Sequence, residues 1–470
     1  MSDTNRVSLR MIEESTYGTT PTSPALKAVP FTSASDLGFT PETVVSEIIR
    51  DDRQISDLVL VGGTTSGGFD SELAAEAHDE VLEGVMFSAW GFPGGASLAT
   101  AADADIAVID DGITSTVLDL ADGEDLGELN ADDIVSLTGF TDGDYAVNKE
   151  YTVVSSTSAK ITTASGNTTA SAGAGAKTLT VVGKSGAITV ASSAITTPAG
   201  WGDQLGLEAG DWVKVSGTGA GTYRVTGAVS STSIPIANGG SGSGTGVVRT
   251  GAQLTNGTTA KSYTIERLYS DQDTPLYEYL RGMVPGTFSM TASSQSIVNS
   301  SFSFIGSDQE FTTSRVSGAS DRTATASGVV SVYNSSSNVG SLAVGGAPVS
   351  GANFITEATV EIENNLRERY AVDNVGAVSI GSGEFNVTGT LNTYFDNKTL
   401  ADAVVNNTAT SFSISFDDAN GKTLVFDLPN VKFSEGAPDV SGKNEDVMLN
   451  LSYQAILDAD LGYTLKITRY

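Results

Sequence analysis

Apolar and polar residues alternate with period two over short stretches along most of this chain. Tyr263-Thr-Ile265-Glu, Phe302-Ser-Phe304 and Ser413-Ile414-Ser-Phe416 are representative. Successive side chains of a strand point to opposite faces, so this alternation predicts strands with one buried face. Helical spacing is rare. It appears over residues 70–90, where Leu73, Ala77, Val81, Leu82, Val85 and Met86 recur on one stripe, and over 397–405, where Leu400, Ala403 and Val404 share a face and Asn397 is placed as an N-cap. The class these patterns predict is mainly β with a few helices.

The pattern also repeats. Leu129-Asn-Ala131-Asp-Asp133-Ile-Val135-Ser-Leu137-Thr-Gly139 resembles Leu207-Glu-Ala209-Gly-Asp211-Trp-Val213-Lys-Val215-Ser-Gly217. A tyrosine follows each (Tyr145, Tyr223), and then the same pentapeptide, Val154-Ser-Ser-Thr-Ser158 and Val229-Ser-Ser-Thr-Ser233. This predicts one small β module made twice, over 99–166 and 167–254. A wider repeat pairs Ser262–Ile265 with Ser411–Ile414, Met283–Phe288 with Leu428–Phe433 and Ser300–Phe304 with Leu449–Tyr453. Upstream, arginine, loop, Gly-Phe and helix recur in the same order, Arg53 to Trp90 and Arg367 to Leu400. The expected organisation is a duplicated β domain, 1–98 with 255–345 and then 346–470, with the two modules inserted in the first copy. Ser314–Ala352 would link the copies and carry a strand over Gly328–Tyr333.

A chain of 470 residues exceeds one core, in keeping with two to four domains. With no cysteine, disulfides, thiolate metal sites and cysteine nucleophiles are excluded. The single histidine, His78, falls beside the helical stripe with no nucleophile-elbow motif near it, and is expected to be structural. Acidic residues number 56 against 25 basic, a net charge of −31, so the surface repels phosphate backbones instead of gathering them. No stretch of about 18 apolar residues is present, so no membrane span is expected. Nor does an apolar run follow a basic segment at Met1-Ser2-Asp3-Thr4, so no secretory signal is expected. The acidic run Asp103, Asp105, Asp110, Asp111, Asp119, Asp122, Glu124 and Asp125 lacks the spacing of a calcium loop and reads as solvated turns. Gly239–Gly244 lacks the Gly-Lys-Ser/Thr of a phosphate loop. Neither a cofactor nor a metal is expected.

Glu13-Glu14-Ser-Thr-Tyr17-Gly-Thr-Thr-Pro21, Phe31-Thr-Ser33 and Val45-Ser-Glu47-Ile-Ile-Arg50-Asp-Asp-Arg53-Gln-Ile-Ser-Asp57 resemble the opening of siphophage tail tube proteins. The resemblance continues in Gly67–Leu73, Asp79–Glu83 and Trp90, and resumes after the insertion in Leu254–Gly257, Lys261–Arg267 and Tyr279–Gly282. It implies a β-sandwich with a flanking helix whose sheets join those of neighbouring subunits into a ring, with rings stacked into a tube. A single-domain subunit of this family forms a hexamer, whereas a duplicated one closes a pseudo-sixfold trimer. Duplex DNA would pass through the lumen without specific binding. The tape measure, tail terminator and tail tip proteins would be further partners. The location implied is the virion tail, with synthesis in the bacterial host cytoplasm. The mixed-charge group Arg50, Asp51, Asp52 and Arg53, ahead of a Gly-rich loop ending at Phe69, reads as a solvated hairpin or, through the resemblance, as a contact between adjacent rings.

The inserted modules would decorate the outside of the tube, binding host glycans weakly, or act as a spacer without a ligand. Two other readings differ in class. A surface-displayed β-repeat adhesin would carry a secretory signal. A polysaccharide hydrolase would need two carboxylates in an aromatic-lined cleft, and aromatics make up only 7% of the chain without clustering.

Overall fold

The computed structural model describes residues 3–470 except 35, 94–96, 101–105, 111–115, 121–131, 139–148, 158–159, 164–176, 238, 326–327, 336–338, 345–346, 349–354, 396–398 and 441. The chain divides into two compact units. The first is Met1–Ala89 with Leu254–Leu342 and Val349–Lys466; the second is Trp90–Gln253 with Ala343–Pro348 and Ile467–Tyr470.

In the first unit the principal elements are β1 (Val7–Glu13), β2 (Ala25–Val29), β3 (Gly38–Val45), β4 (Leu58–Glu72) and helix α1 (Asp79–Met86). After the excursion into the second unit come β5 (Tyr263–Tyr269), β6 (Leu276–Ser293), β7 (Asn299–Gly306) and β8 (Asp308–Thr312). The remainder is β9 (Ile355–Glu363), β10 (Asn386–Tyr394), helix α2 (Thr399–Val405), β11 (Thr410–Asp417), β12 (Thr423–Asp439) and β13 (Met448–Ala455).

Eight antiparallel strands lie side by side in the order β3–β4–β7–β6–β9–β10–β13–β12. The long strands β6 and β12 enter this sheet through their C-terminal halves. Their N-terminal halves pair instead with β5 and β11, and β5 pairs onward with β1. Alternation decides which face is buried: along β7 the buried residues are Ser300, Phe302, Phe304 and Gly306, and along β13 Leu449, Leu451, Tyr453 and Ala455. Phe302 packs on Phe69 and Phe288 with ring centroids 5.2 and 5.1 Å apart, and Phe288 reaches Phe426 at 6.2 Å. Each such buried ring contributes about 1.5–3 kcal/mol.

Two sets of ladders in this unit break register at matching steps. Pairing of β5 with β6 shifts by one residue between Tyr263↔Met283 and Ile265↔Leu280; that of β11 with β12 shifts between Thr410↔Val431 and Phe412↔Leu428. Pairing of β6 with β7 shifts between Pro285↔Phe304 and Thr287↔Ser303; that of β12 with β13 shifts between Phe433↔Tyr453 and Glu435↔Ser452. On the long strands both breaks lie 148 residues apart, Leu280 to Leu428 and Thr287 to Glu435. Gly67 in β4 and Gly389 in β10 hold matching places as well: a Cβ on either would collide with a carbonyl oxygen, that of Asp36 or that of Thr359.

Helix α1 is shorter than its apolar stripe predicts. Residues 65–72 continue β4 and pair with β7, Thr65↔Gly306 to Glu72↔Asn299, so the ladder overrides helical spacing up to Glu72. Leu73 and Ala77 are buried all the same, which is why the stripe reads as continuous. Phe87, at φ 51°, ends the helix in the left-handed region. Over 397–405 the helix begins at Thr399, and Asn397 lies outside the described residues. The strand expected over Gly328–Tyr333 is reduced to an isolated bridge between Val332 and Ala74. Tyr333 is nonetheless buried, donating its backbone N–H to Leu73 O and accepting at its own carbonyl from Val298.

The second unit is organised on one long strand, Lys177–Ala191, which pairs with Gly242–Thr250, Ile134–Thr138 and Ser97–Thr100. Its core gathers Ile188, Val190, Trp201, Val213, Val225, Ile234 and Val248. Asp133 and Asp211 are placed alike, their backbone carbonyls accepting from Val153 N–H and Val225 N–H at 2.7 Å each. The shared pentapeptide is not: Val154–Thr157 lie within the strand Lys149–Thr157, whereas Ser231 and Thr232 form a turn closed by Ser230 and Ser233.

Candidate assembly interface

The eight-strand sheet has one face on the core and one polar face. Direct cross-strand partners share a face, so the register assigns to the polar side Ser66, Asp70 and Glu72 of β4, Asn299, Ser301 and Ser303 of β7, and Thr287, Ser289 and Thr291 of β6. It continues through Glu357, Thr359, Glu361 and Glu363 of β9, Asn386, Thr388 and Asn392 of β10, and Glu435 and Asp439 of β12. Lys432 is the one base among these strand positions. The surface is therefore a hydroxyl, amide and carboxylate wall.

Beyond this sheet β3 and β4 run on as a hairpin arm. Its register shifts between Glu42 and Thr43, and past that point the arm is open to solvent. Val44, Val45, Ile48, Ile49, Ile55 and Leu58–Val61 are all exposed, Ile49 by 97%. Water disfavours so many large apolar side chains together, and a patch of this size is unusual on a lone soluble chain.

The mixed-charge residues form the tip of this arm. Arg50 donates to Asp52 through Nε at 2.9 Å and Nη2 at 2.6 Å, holding the Asp52 carboxyl below the usual carboxylate range. Arg53 turns the chain at φ 59°, and both Asp51 and Arg53 are exposed. Phe69 does not join them. It is 2% exposed in the core against Phe302 and Phe304, because its place in β4 faces inward. Sequence reasoning found the charged tip and missed the apolar arm that carries it; the signal was the unbroken Leu58-Val-Leu-Val61 run, which reads as core when taken alone.

Two strand edges end the sheet. The outer edge of β3 is exposed from Thr40 onward, and β12 is exposed over Ser434, Glu435 and Ala437–Asp439. Each edge carries a proline, Pro41 and Pro438, and a proline inside a ladder must turn its missing N–H toward the free side.

His78 is fully buried at the start of α1, its Nε2 3.0 Å from Ser71 Oγ and its ring stacked on Phe302 at 5.4 Å. Burial, helped by the charge of Lys27, pushes its pKa down to about 4, so it is neutral at pH 7. Among the described residues no group of three or more His, Asp or Glu is placed to hold a metal ion, and no helix is long and apolar enough to cross a membrane.

No curated protein matches the sequence. The sequence model of one family, described as phage tail tube protein, matches residues 4–455. That match spans β1 through β13, including the arm, the polar face and both sheet edges. The chain is accordingly a member of the phage tail tube protein family, structural components of the bacteriophage tail that assemble with one another and with other tail proteins.

Proposed function

We propose that three copies of this chain close a ring in which the eight-strand sheet runs on from subunit to subunit, and that stacked rings conduct the genome into the host. The observation that carries this is the repetition of both register breaks at a spacing of 148 residues along β6 and β12. Two ladders breaking at matching steps along these strands support the reading of one domain made twice, over 1–98 with 255–345 and again over 346–470. A trimer then presents six equivalent domains.

Dimensions favour three chains over six. At about 4.8 Å per strand, three eight-strand sheets give a perimeter of about 115 Å and a backbone bore of about 37 Å before strand tilt widens it. After side chains are subtracted, that admits one nucleic acid duplex. Six chains would double the bore and leave a duplex loose inside. The acidic polar face suits the inner wall: with almost no base on it, passing DNA releases no counterions and is not retained.

At the arm tip Arg50, Asp51, Asp52 and Arg53 contact the adjacent ring, while the stretch 99–254 decorates the tube. Tape measure, terminator and tip proteins engage the lumen and the two ends. Electron microscopy of assembled particles, read together with native mass, tests the reading. Rings of three chains with pseudo-sixfold projections are expected, and rings of six chains would overturn the stoichiometry.

A further inference from the structure

Within the first unit, β6 pairs with β9 along the seam between its two halves. Asn364 donates its backbone N–H to Gly286 O at 2.9 Å, which turns the even-numbered positions of β6 toward β9. In this antiparallel register Phe288 faces Ile362 and Met290 faces Val360 as the mutually bonded pairs, with Thr287↔Glu363 and Ser289↔Glu361 between them.

The matched breaks carry this seam to the chain's two free edges. Along the long strands, Gly286, Thr287, Phe288 and Met290 correspond to Ser434, Glu435, Gly436 and Pro438. From β9 to β3, through the pairing of each with its neighbour, Val360, Ile362 and Glu363 correspond to Leu37, Phe39 and Thr40. Gly67 and Gly389, lying against the carbonyls of Asp36 and Thr359, support the same alignment.

From this we infer that β12 of one subunit pairs antiparallel with β3 of the next, with Gly436 opposite Phe39 and Glu435 opposite Thr40. The partner is a second copy of this chain, and the inference rests on the ring reading above. Side chains already on the β3 edge fit the register. Pro438 has no N–H to offer the Leu37 carbonyl, and Arg267 Nη2 already donates to that oxygen at 2.8 Å. Phe39 N–H is held in the free subunit by Gln309 Oε1 at 2.9 Å, the position that the Gly436 carbonyl takes in the seam. Pro41 removes the donor that Asn364 supplies in the internal seam. The intersubunit ladder therefore carries fewer hydrogen bonds than the internal one, which disfavours pairing of free subunits outside an assembling ring.

Engineered cysteines test the register, since the chain has none of its own. Thr40 and Glu435 are both exposed and would form a non-hydrogen-bonded pair, where Cβ atoms come within disulfide reach. Oxidised particles of T40C/E435C protein are expected to yield covalently closed trimers. Mixtures of T40C and E435C chains should yield linked pairs that neither chain forms alone. The pair E42C/E435C, two residues out of register, should link far less. Rings or tubes that assemble with T40C/E435C yet form no such disulfide, or that link equally through E42C, overturn the seam and leave the ring reading intact. Failure to form rings or tubes under any assembly condition overturns both.

Discussion

The guanidinium of Arg267 grips the carboxylate of Glu278 through two hydrogen bonds, Nε at 2.7 Å and Nη2 at 2.8 Å. Its remaining donors reach the carbonyls of Ala34 and Leu37, so one ion pair between β5 and β6 also holds the entry to β3. Glu278 is fully buried and accepts from Tyr269 as well. Replacing Arg267 by Ala leaves that carboxylate without its cation. Chemical denaturation is expected to show a loss of about 3–5 kcal/mol, mostly recovered when Glu278 is replaced by Leu in the same chain.

His78 makes stability fall with acid. Its pKa is about 4 when folded, against about 6.5 in an unfolded chain. A depressed folded value means that protons bind the unfolded state first. The stabilisation is complete above pH 6.5 and is lost as pH falls toward 4, amounting to about 3 kcal/mol across that window. Denaturation series at pH 7 and pH 4.5 should show a smaller acid loss for H78Q than for the natural chain. Equal losses would mean that the imidazole is not held neutral.

Charge reversal at the arm tip separates folding from assembly. Arg50 and Arg53 are exposed, so R50E/R53E should leave the melting temperature nearly unchanged, as surface substitutions usually do. Tubes should become much shorter or vanish in electron micrographs. Tubes of normal length would remove these residues from the contact between rings.

Reversing charge on the polar face tests its place at the lumen. E361K/E363K tubes should retain duplex DNA at low salt and release it as salt rises, with log affinity falling linearly in log salt. Natural tubes should retain none. If neither protein retains DNA, the polar face does not line the channel.

The largest segment of the second unit, 92–252, starts and ends beside a paired stretch of backbone. Gly91 and Gln253 exchange two backbone hydrogen bonds, 3.0 and 2.6 Å, so the two ends of this segment lie side by side. Replacing 92–252 with a short Gly-Ser link is expected to give a folded protein that still forms rings. A folded product that no longer assembles would place the insertion in the ring contacts.

Much of the fold was legible from local pattern. The alternation in Phe302-Ser-Phe304 and Ser413–Phe416 marks strands because a pleated backbone turns successive side chains to opposite faces wherever it pairs. The acidic balance and lack of cysteine are likewise properties of composition alone. Partner choice lies beyond such patterns. Asp70–Glu72 open the segment read as helical yet pair with β7, and the shared pentapeptide is strand in one place and turn in another. Sequence similarity sets Ile265 beside Ile414, but the ladders make Phe412 its counterpart, two residues away. Only tertiary pairing decides register, because a strand slipped by one residue keeps its composition while exchanging its faces. The same holds for the apolar arm. Leu58–Val61 read as core when taken alone, and they stand exposed because β3 and β4 run past the rest of the sheet as a two-strand arm.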